Sequence, residues 1–126
     1  MNSSLLTPHA SLNVSFEFFP PQTAEGIDKL RAAREKLASL GPEFFSVTYG
    51  AGGSTRERTL EVVFDIQREG RTVAPHISCI GATQATTREL LQKYRAAGIK
   101  RIVALRGDLP SGMADAGEFR YANELV

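Results

Sequence analysis

Segments that read as β-strands begin at Leu12, Phe44, Val73 and Arg101, about 30 residues apart, which is the length of one strand plus one crossover helix. Each runs into a turn signal: Pro20-Pro21, Gly50-Ala51-Gly52-Gly53, Gly81 and Gly107-Asp108. Helical periodicity follows each turn. Ala24–Leu40 carries Ile27, Leu30, Ala33, Leu37 and Leu40 on one face and stops at Gly41-Pro42. A second helix is expected over about Thr55–Arg68 behind Ser54 as cap, and a third over about Thr87–Ala97 with Thr86 and Glu89 as a capping box. A fourth is expected to start near Glu118, with Phe119, Ala122 and Leu125 on one side. Strand and helix units in series give a parallel sheet with right-handed crossovers. A closed eight-stranded barrel needs about 250 residues, so these four units, the last unfinished, amount to half of a (β/α)8 TIM-type barrel. A small open α/β sheet is the alternative.

Strand alternation favours the barrel. One set of side chains is apolar: Val14, Phe16, Phe18; Phe45, Val47; Ile77, Cys79; Val103, Leu105. The other is Ser15, Glu17, Phe19; Ser46, Thr48; His76, Ser78, Ile80; Ala104, Arg106. That second set is polar for a face that an open sheet would cover with helices. Its polar groups need one another, water or a ligand, which places a ligand over that face at the strands' C-terminal ends.

Composition narrows the chemistry. With 15 Lys+Arg against 14 Asp+Glu, a net charge of +1 gives no reason to expect a nucleic-acid or membrane partner. Cys79 as sole cysteine excludes an internal disulfide and a multi-thiolate site, and His9 and His76 are too few for a multi-histidine metal centre. The start, MNSSLLTPHASLN, reads as a short polar arm over residues 1–11 rather than a signal peptide, and no apolar run approaches the roughly 18 residues that cross a bilayer. The expected compartment is the cytoplasm.

Glu17 sits among Phe16, Phe18 and Phe19; withdrawn from water there, its protonated form is favoured, which suits a general acid. The competing reading is a salt bridge to a neighbouring strand, with Arg106 as partner. Gly107 permits close approach of backbone to ligand, Arg106 can bind an anion or carbonyl, and Asp108 can accept from paired donors on a heterocycle; alternatively Arg106 and Asp108 pair with each other in an exposed loop. His76 and Thr48 also suit ordinary strand positions, and Cys79 suits core packing. Gly50–Gly53 can wrap a phosphate or a flat ring, yet it matches neither GxGxxG nor GxxxxGK[ST].

Four stretches together resemble the methylenetetrahydrofolate reductase family: Ser15-Phe16-Glu17-Phe18-Phe19-Pro20-Pro21, Phe45-Ser46-Val47-Thr48-Tyr49-Gly50-Ala51-Gly52-Gly53, Pro75-His76 with Cys79-Ile80-Gly81-Ala82-Thr83, and Leu105-Arg106-Gly107-Asp108-Leu109-Pro110. They occur in order and span nearly the whole chain. The resemblance implies a (β/α)8 catalytic domain, of which residues 1–126 are the N-terminal part, with FAD at the strands' C-terminal ends. It implies reduction of 5,10-methylenetetrahydrofolate to 5-methyltetrahydrofolate with NAD(P)H by a ping-pong route, in one-carbon and methionine metabolism, and a homo-oligomer at full length. By the same resemblance Glu17 matches the general acid that opens the folate ring, and Asp108 an aspartate beside flavin and pterin. Thr48 matches a threonine near flavin and nicotinamide, Tyr49, Ala51, His76, Arg106 and Gly107 match flavin contacts, and Ala122 matches an alanine approaching the cofactor. Gln22 departs from the basic residue usual after the prolines, and the family barrel continues well beyond Val126. Two other readings stand beside this one: a catalytically silent fragment acting as a folding or assembly partner, and a different barrel enzyme whose phosphate loop lies in later strands.

Overall fold

Four parallel strands pair in chain order, β1 (Ser15–Phe18), β2 (Phe44–Val47), β3 (Val73–Ser78) and β4 (Val103–Leu105). Between them lie helices α1 (Ala24–Ala38), α2 (Gly53–Arg68) and α3 (Gln84–Ala96), and a 3-10 turn, Ala122–Leu125, follows β4. This computed structural model describes residues 12–49, 53–107 and 117–126, with 53–55 given by their backbone alone; the expected arm over 1–11 lies outside it. The arrangement is that of half a (β/α)8 barrel.

Side-chain alternation does what the apolar set requires. Phe18, Phe45, Val47, Val73 and Ile77 face the helices and pack with Val62, Val63 and Ile66 of α2 and Leu90 and Tyr94 of α3. Phe45 anchors this layer, with its ring centroid 5.3 Å from Phe18 and 6.3 Å from Phe16. Pro75, fully buried in β3, breaks no hydrogen bond. Donors alternate along a strand, and Cys79 donates to the Leu105 carbonyl of β4, so the missing Pro75 N–H falls on the β4 side, where pairing begins only at His76.

Several expected boundaries move for identifiable reasons. The helix expected behind Ser54 begins at Gly53, which puts Ser54 inside the first turn. The third helix starts at Gln84: the Thr83 hydroxyl accepts from the Thr86 N–H at 3.1 Å while Thr86 Oγ1 accepts from the Thr83 N–H at 3.0 Å. Thr83 and Thr86, rather than Thr86 and Glu89, therefore form the capping box. The expected fourth helix at Glu118 is reduced to the 3-10 turn. Tyr121 is extended, and the Glu124 carboxylate accepts the Arg120 N–H at 2.7 Å, so the turn is capped from within. Its apolar positions still pack inward, Phe119 buried and Leu125 against the core.

The side chain that most departs from pattern is Arg34. It is 1% exposed and is the buried residue of α1, whose Ile27, Leu30 and Leu37 are only partly covered. Its guanidinium donates to Glu69 Oε2 at 3.1 Å and Asp65 Oδ2 at 3.2 Å, both on or just after α2, and Arg31 adds a donor to Asp65 at 2.8 Å. Hydrogen bonding from Arg31 holds the Asp65 carboxyl below its ordinary range, and hydrogen bonding from Arg34 does the same for Glu69. A carboxylate with a lowered folded pKa contributes stability that is complete above its unfolded value and is lost as pH falls through the folded one. The α1–α2 junction should therefore weaken below the ordinary carboxylate values of 3.8 and 4.5. Arg34→Leu should cost about 3 kcal/mol at neutral pH, because it leaves two adjacent carboxylates without their shared buried partner. Chemical denaturation of the wild type and variant at pH 7 and pH 3 checks both statements: the difference should shrink at the lower pH.

Candidate active site

Parallel register sets the polar face. Glu17 of β1 is level with Ser46 of β2, and Ser46 with Ala74 of β3, one pleat below His76. β1 and β3 flank β2, so their backbones lie about 10 Å apart. Only a small side chain on β2 lets groups on its two neighbours meet. Ser46, 6% exposed, is that side chain, and across it Glu17 Oε1 comes within 3.1 Å of His76 Nε2. The distance is that of a hydrogen bond, but the alignment is not, and Nε2 is left buried without a hydrogen-bonded partner. Burial pushes the imidazole pKa down from 6.5, with the Glu17 charge opposing that shift. His76 is thus a neutral imidazole at neutral pH, with the Glu17 carboxyl group beside it.

Two expectations about Glu17 change. The aromatic enclosure is absent: its side chain is 53% exposed, and Phe16 and Phe18 point to the helix layer on the other face. Its titratable neighbour is His76 rather than Arg106. The β4 alternation explains this second change. His76 pairs with Val103 and Ser78 with Leu105, so Val103 and Leu105 join the face of Glu17 and His76, while Ala104 falls in the opposite set with Ile77. Alternation carries Arg106 with Ala104. What Arg106 brings to the site's end of the sheet is its carbonyl, which accepts from Ser78 Oγ at 3.1 Å and from Cys79 Sγ at 3.2 Å.

The strand ends are fixed by side chains that periodicity does not single out. Thr59, buried on α2, donates through Oγ1 to the Thr48 carbonyl at 2.9 Å, and the Thr48 N–H donates to Phe18 O at 3.0 Å. This holds Thr48 and the half-buried Tyr49 at the end of β2. Gly107 turns the chain at the end of β4 with φ +78°, and a Cβ there would overlap Ser78 Oγ. Ala122 is half-buried in the 3-10 turn. Ala51 and Asp108 lie outside the described residues. Among those described, no group of three or more His, Cys, Asp or Glu is disposed to hold a metal, and no helix is long and apolar enough to cross a membrane.

Gly107→Ala should cost about 2 kcal/mol or more, from the left-handed backbone and from the overlap. In a double-mutant cycle, Ser78→Ala should restore the part due to overlap and leave the backbone part, a coupling readable by denaturation. Strict additivity of the two changes would show that Ser78 does not enforce the glycine.

The methylenetetrahydrofolate reductase family model matches residues 3–126. Over its whole length the chain is 47% identical to the 5,10-methylenetetrahydrofolate reductase of Pectobacterium carotovorum subsp. carotovorum and 45% identical to that of Escherichia coli (strain K12), covering 42% of each. It is 37% identical over 96% of its length to methylenetetrahydrofolate reductase (NADH) 1 of Arabidopsis thaliana, of which it covers 21%. The chain thus spans less than half the length of these relatives, and a family model that matches almost every residue, on a parallel βα sheet with its polar groups at one face, shows that it belongs to the methylenetetrahydrofolate reductase family.

Proposed function

We propose that this chain is the N-terminal part of a single flavin-binding (β/α)8 domain that reduces 5,10-methylenetetrahydrofolate to 5-methyltetrahydrofolate with NAD(P)H. The proposed setting is the cytoplasm, in one-carbon and methionine metabolism, with the full-length protein a homo-oligomer. The observation that carries the reading is the approach of Glu17 to His76 across Ser46 on the polar face. A half-exposed carboxyl beside a buried neutral imidazole can hold and release a proton toward a ligand, while a carboxylate closed into an ion pair with arginine could not.

The donor set fits FAD. His76 Nε2 is buried and lacks a hydrogen-bonded partner, which suits a heterocycle's polar edge, and Thr48 and Tyr49 add hydroxyls at the adjoining strand end. When bound, FAD supplies the electron transfer between reduced nicotinamide and folate. In this reading His76, Thr48, Tyr49, Ala51, Arg106, Gly107 and Ala122 hold it. Glu17 delivers a proton to the folate ring nitrogen that departs as the five-membered ring opens. Asp108 places negative charge where cationic character develops on the folate. β1 and β4 are each paired on one side only among the described residues, so the activity is assigned to the protein that completes the barrel.

Glu17→Gln in the full-length holoenzyme should leave flavin reduction by NAD(P)H near its wild-type rate. It should slow folate reduction by about 10²- to 10⁴-fold, the usual contribution of a positioned acid. Stopped-flow absorbance resolves the two half-reactions, and equal losses in both would remove Glu17 from the acid's role.

A further inference from the structure

Phe19, just past the end of β1, is 75% exposed, while Phe18 beside it is buried against Phe45. A lone exposed apolar side chain is ordinary; the place of this one and the stiffness of its backbone are not. Pro20 keeps residue 19 extended, so strand alternation runs on past Phe18 and puts Phe19 on the face of Glu17, about 7 Å nearer the C-terminal end of the sheet. Leu12, Val14 and Ile102, also exposed, precede their strands and lie at the opposite end. The chain on both sides of Phe19 is pinned. Before it, the Phe18 carbonyl accepts from the Thr48 N–H at 3.0 Å. After it, Pro20 and Pro21 each fix one backbone dihedral. Pro21 packs so closely on the first turn of α1 that a Cβ on Gly26 would come within 2.8 Å of the proline Cβ, and Thr23 caps that helix by accepting the Gly26 N–H at 3.0 Å. The phenyl ring is thus presented at the polar face by a backbone that has little order left to lose on binding.

The inference from this rests on the function proposed above. The nitrogen that departs as the folate ring opens is the one that carries the p-aminobenzoyl group, so the aryl ring begins one bond from the atom that Glu17 protonates. An aromatic side chain on the same face, one strand repeat beyond Glu17, stands where that ring must lie if the substrate extends toward the end of β1. A phenyl group offers a flat ring an offset or edge contact and no hydrogen bond, so it selects aromatic surface rather than polar edges. We infer that Phe19 is a specificity-determining residue that packs against the p-aminobenzoyl ring of the folate, while Glu17 and His76 serve the reacting end.

The test uses the full-length holoenzyme and two probes: 5-methyltetrahydrofolate, and 6-methyltetrahydropterin, which keeps the bicycle and lacks the aryl ring. Binding of each to the oxidised protein is followed by the change in flavin absorbance. Phe19→Leu, which keeps apolar bulk without the ring, should raise the Kd for 5-methyltetrahydrofolate about fivefold, the scale of one aromatic pair. Phe19→Tyr should restore it to within about twofold. The Kd for the pterin and the rate of flavin reduction by NAD(P)H should stay at their wild-type values in both variants. An unchanged folate Kd in Phe19→Leu would overturn the assignment, as would equal losses for folate and pterin, which would move the contact off the aryl ring. Loss of affinity together with a lowered thermal midpoint, unrelieved by Phe19→Tyr, would make Phe19 a packing residue only. Failure of the wild type to bind either probe would instead overturn the function on which the inference rests.

Discussion

A small residue on the second strand is the constraint on which the site depends. The parallel ladder of β1, β2 and β3 fixes Glu17, Ser46 and Ala74 at one level, and the strand spacing fixes how far apart the outer pair must be. Ser46 leaves the gap across which Glu17 and His76 meet. A larger side chain there would fill that space without disturbing the opposite face, where Phe45 and Val47 build the core. Stability and chemistry are thereby assigned to alternate residues of the same strand.

The electrostatics divide along the same line. On the outer layer, Arg34, Arg31, Asp65 and Glu69 satisfy one another and join α1 to α2. Toward the C-terminal ends of the strands, buried groups are left without hydrogen-bonded partners: His76 Nε2 on the polar face and Thr87 Oγ1 in the first turn of α3. Buried polar groups ordinarily find partners. Their concentration toward the C-terminal ends of the strands, against the saturated network outside, marks that end as the one organised for ligands.

Element type and order were legible because Phe, Val, Ile and Leu recur in the strands and each helix carries an apolar stripe. The parity of β4 was not. Val103-Ala104-Leu105 is apolar throughout, so alternation has no contrast to read, and only pairing with His76 and Ser78 shows which residues share the polar face. Glu17 misleads for a related reason: neighbours in sequence on a strand point to opposite faces, so the flanking phenylalanines that suggest burial are the residues it cannot touch. Arg34 was hidden because its partners, Asp65 and Glu69, are more than thirty residues away. The fourth helix was read from a real apolar stripe, but one glutamate, Glu124, caps a turn in its place.

Glu17 and His76 share one site on the polar face, in which desolvation keeps the imidazole neutral and the Glu17 charge partly offsets that effect. Titration of the His76 imidazole by NMR in the full-length protein, with and without Glu17→Gln, tests it most directly. The wild-type midpoint should lie below 6.5 and that of the variant lower still, because removing the carboxylate leaves desolvation unopposed. A midpoint at or above 6.5 in the wild type, or one indifferent to Glu17→Gln, would contradict it.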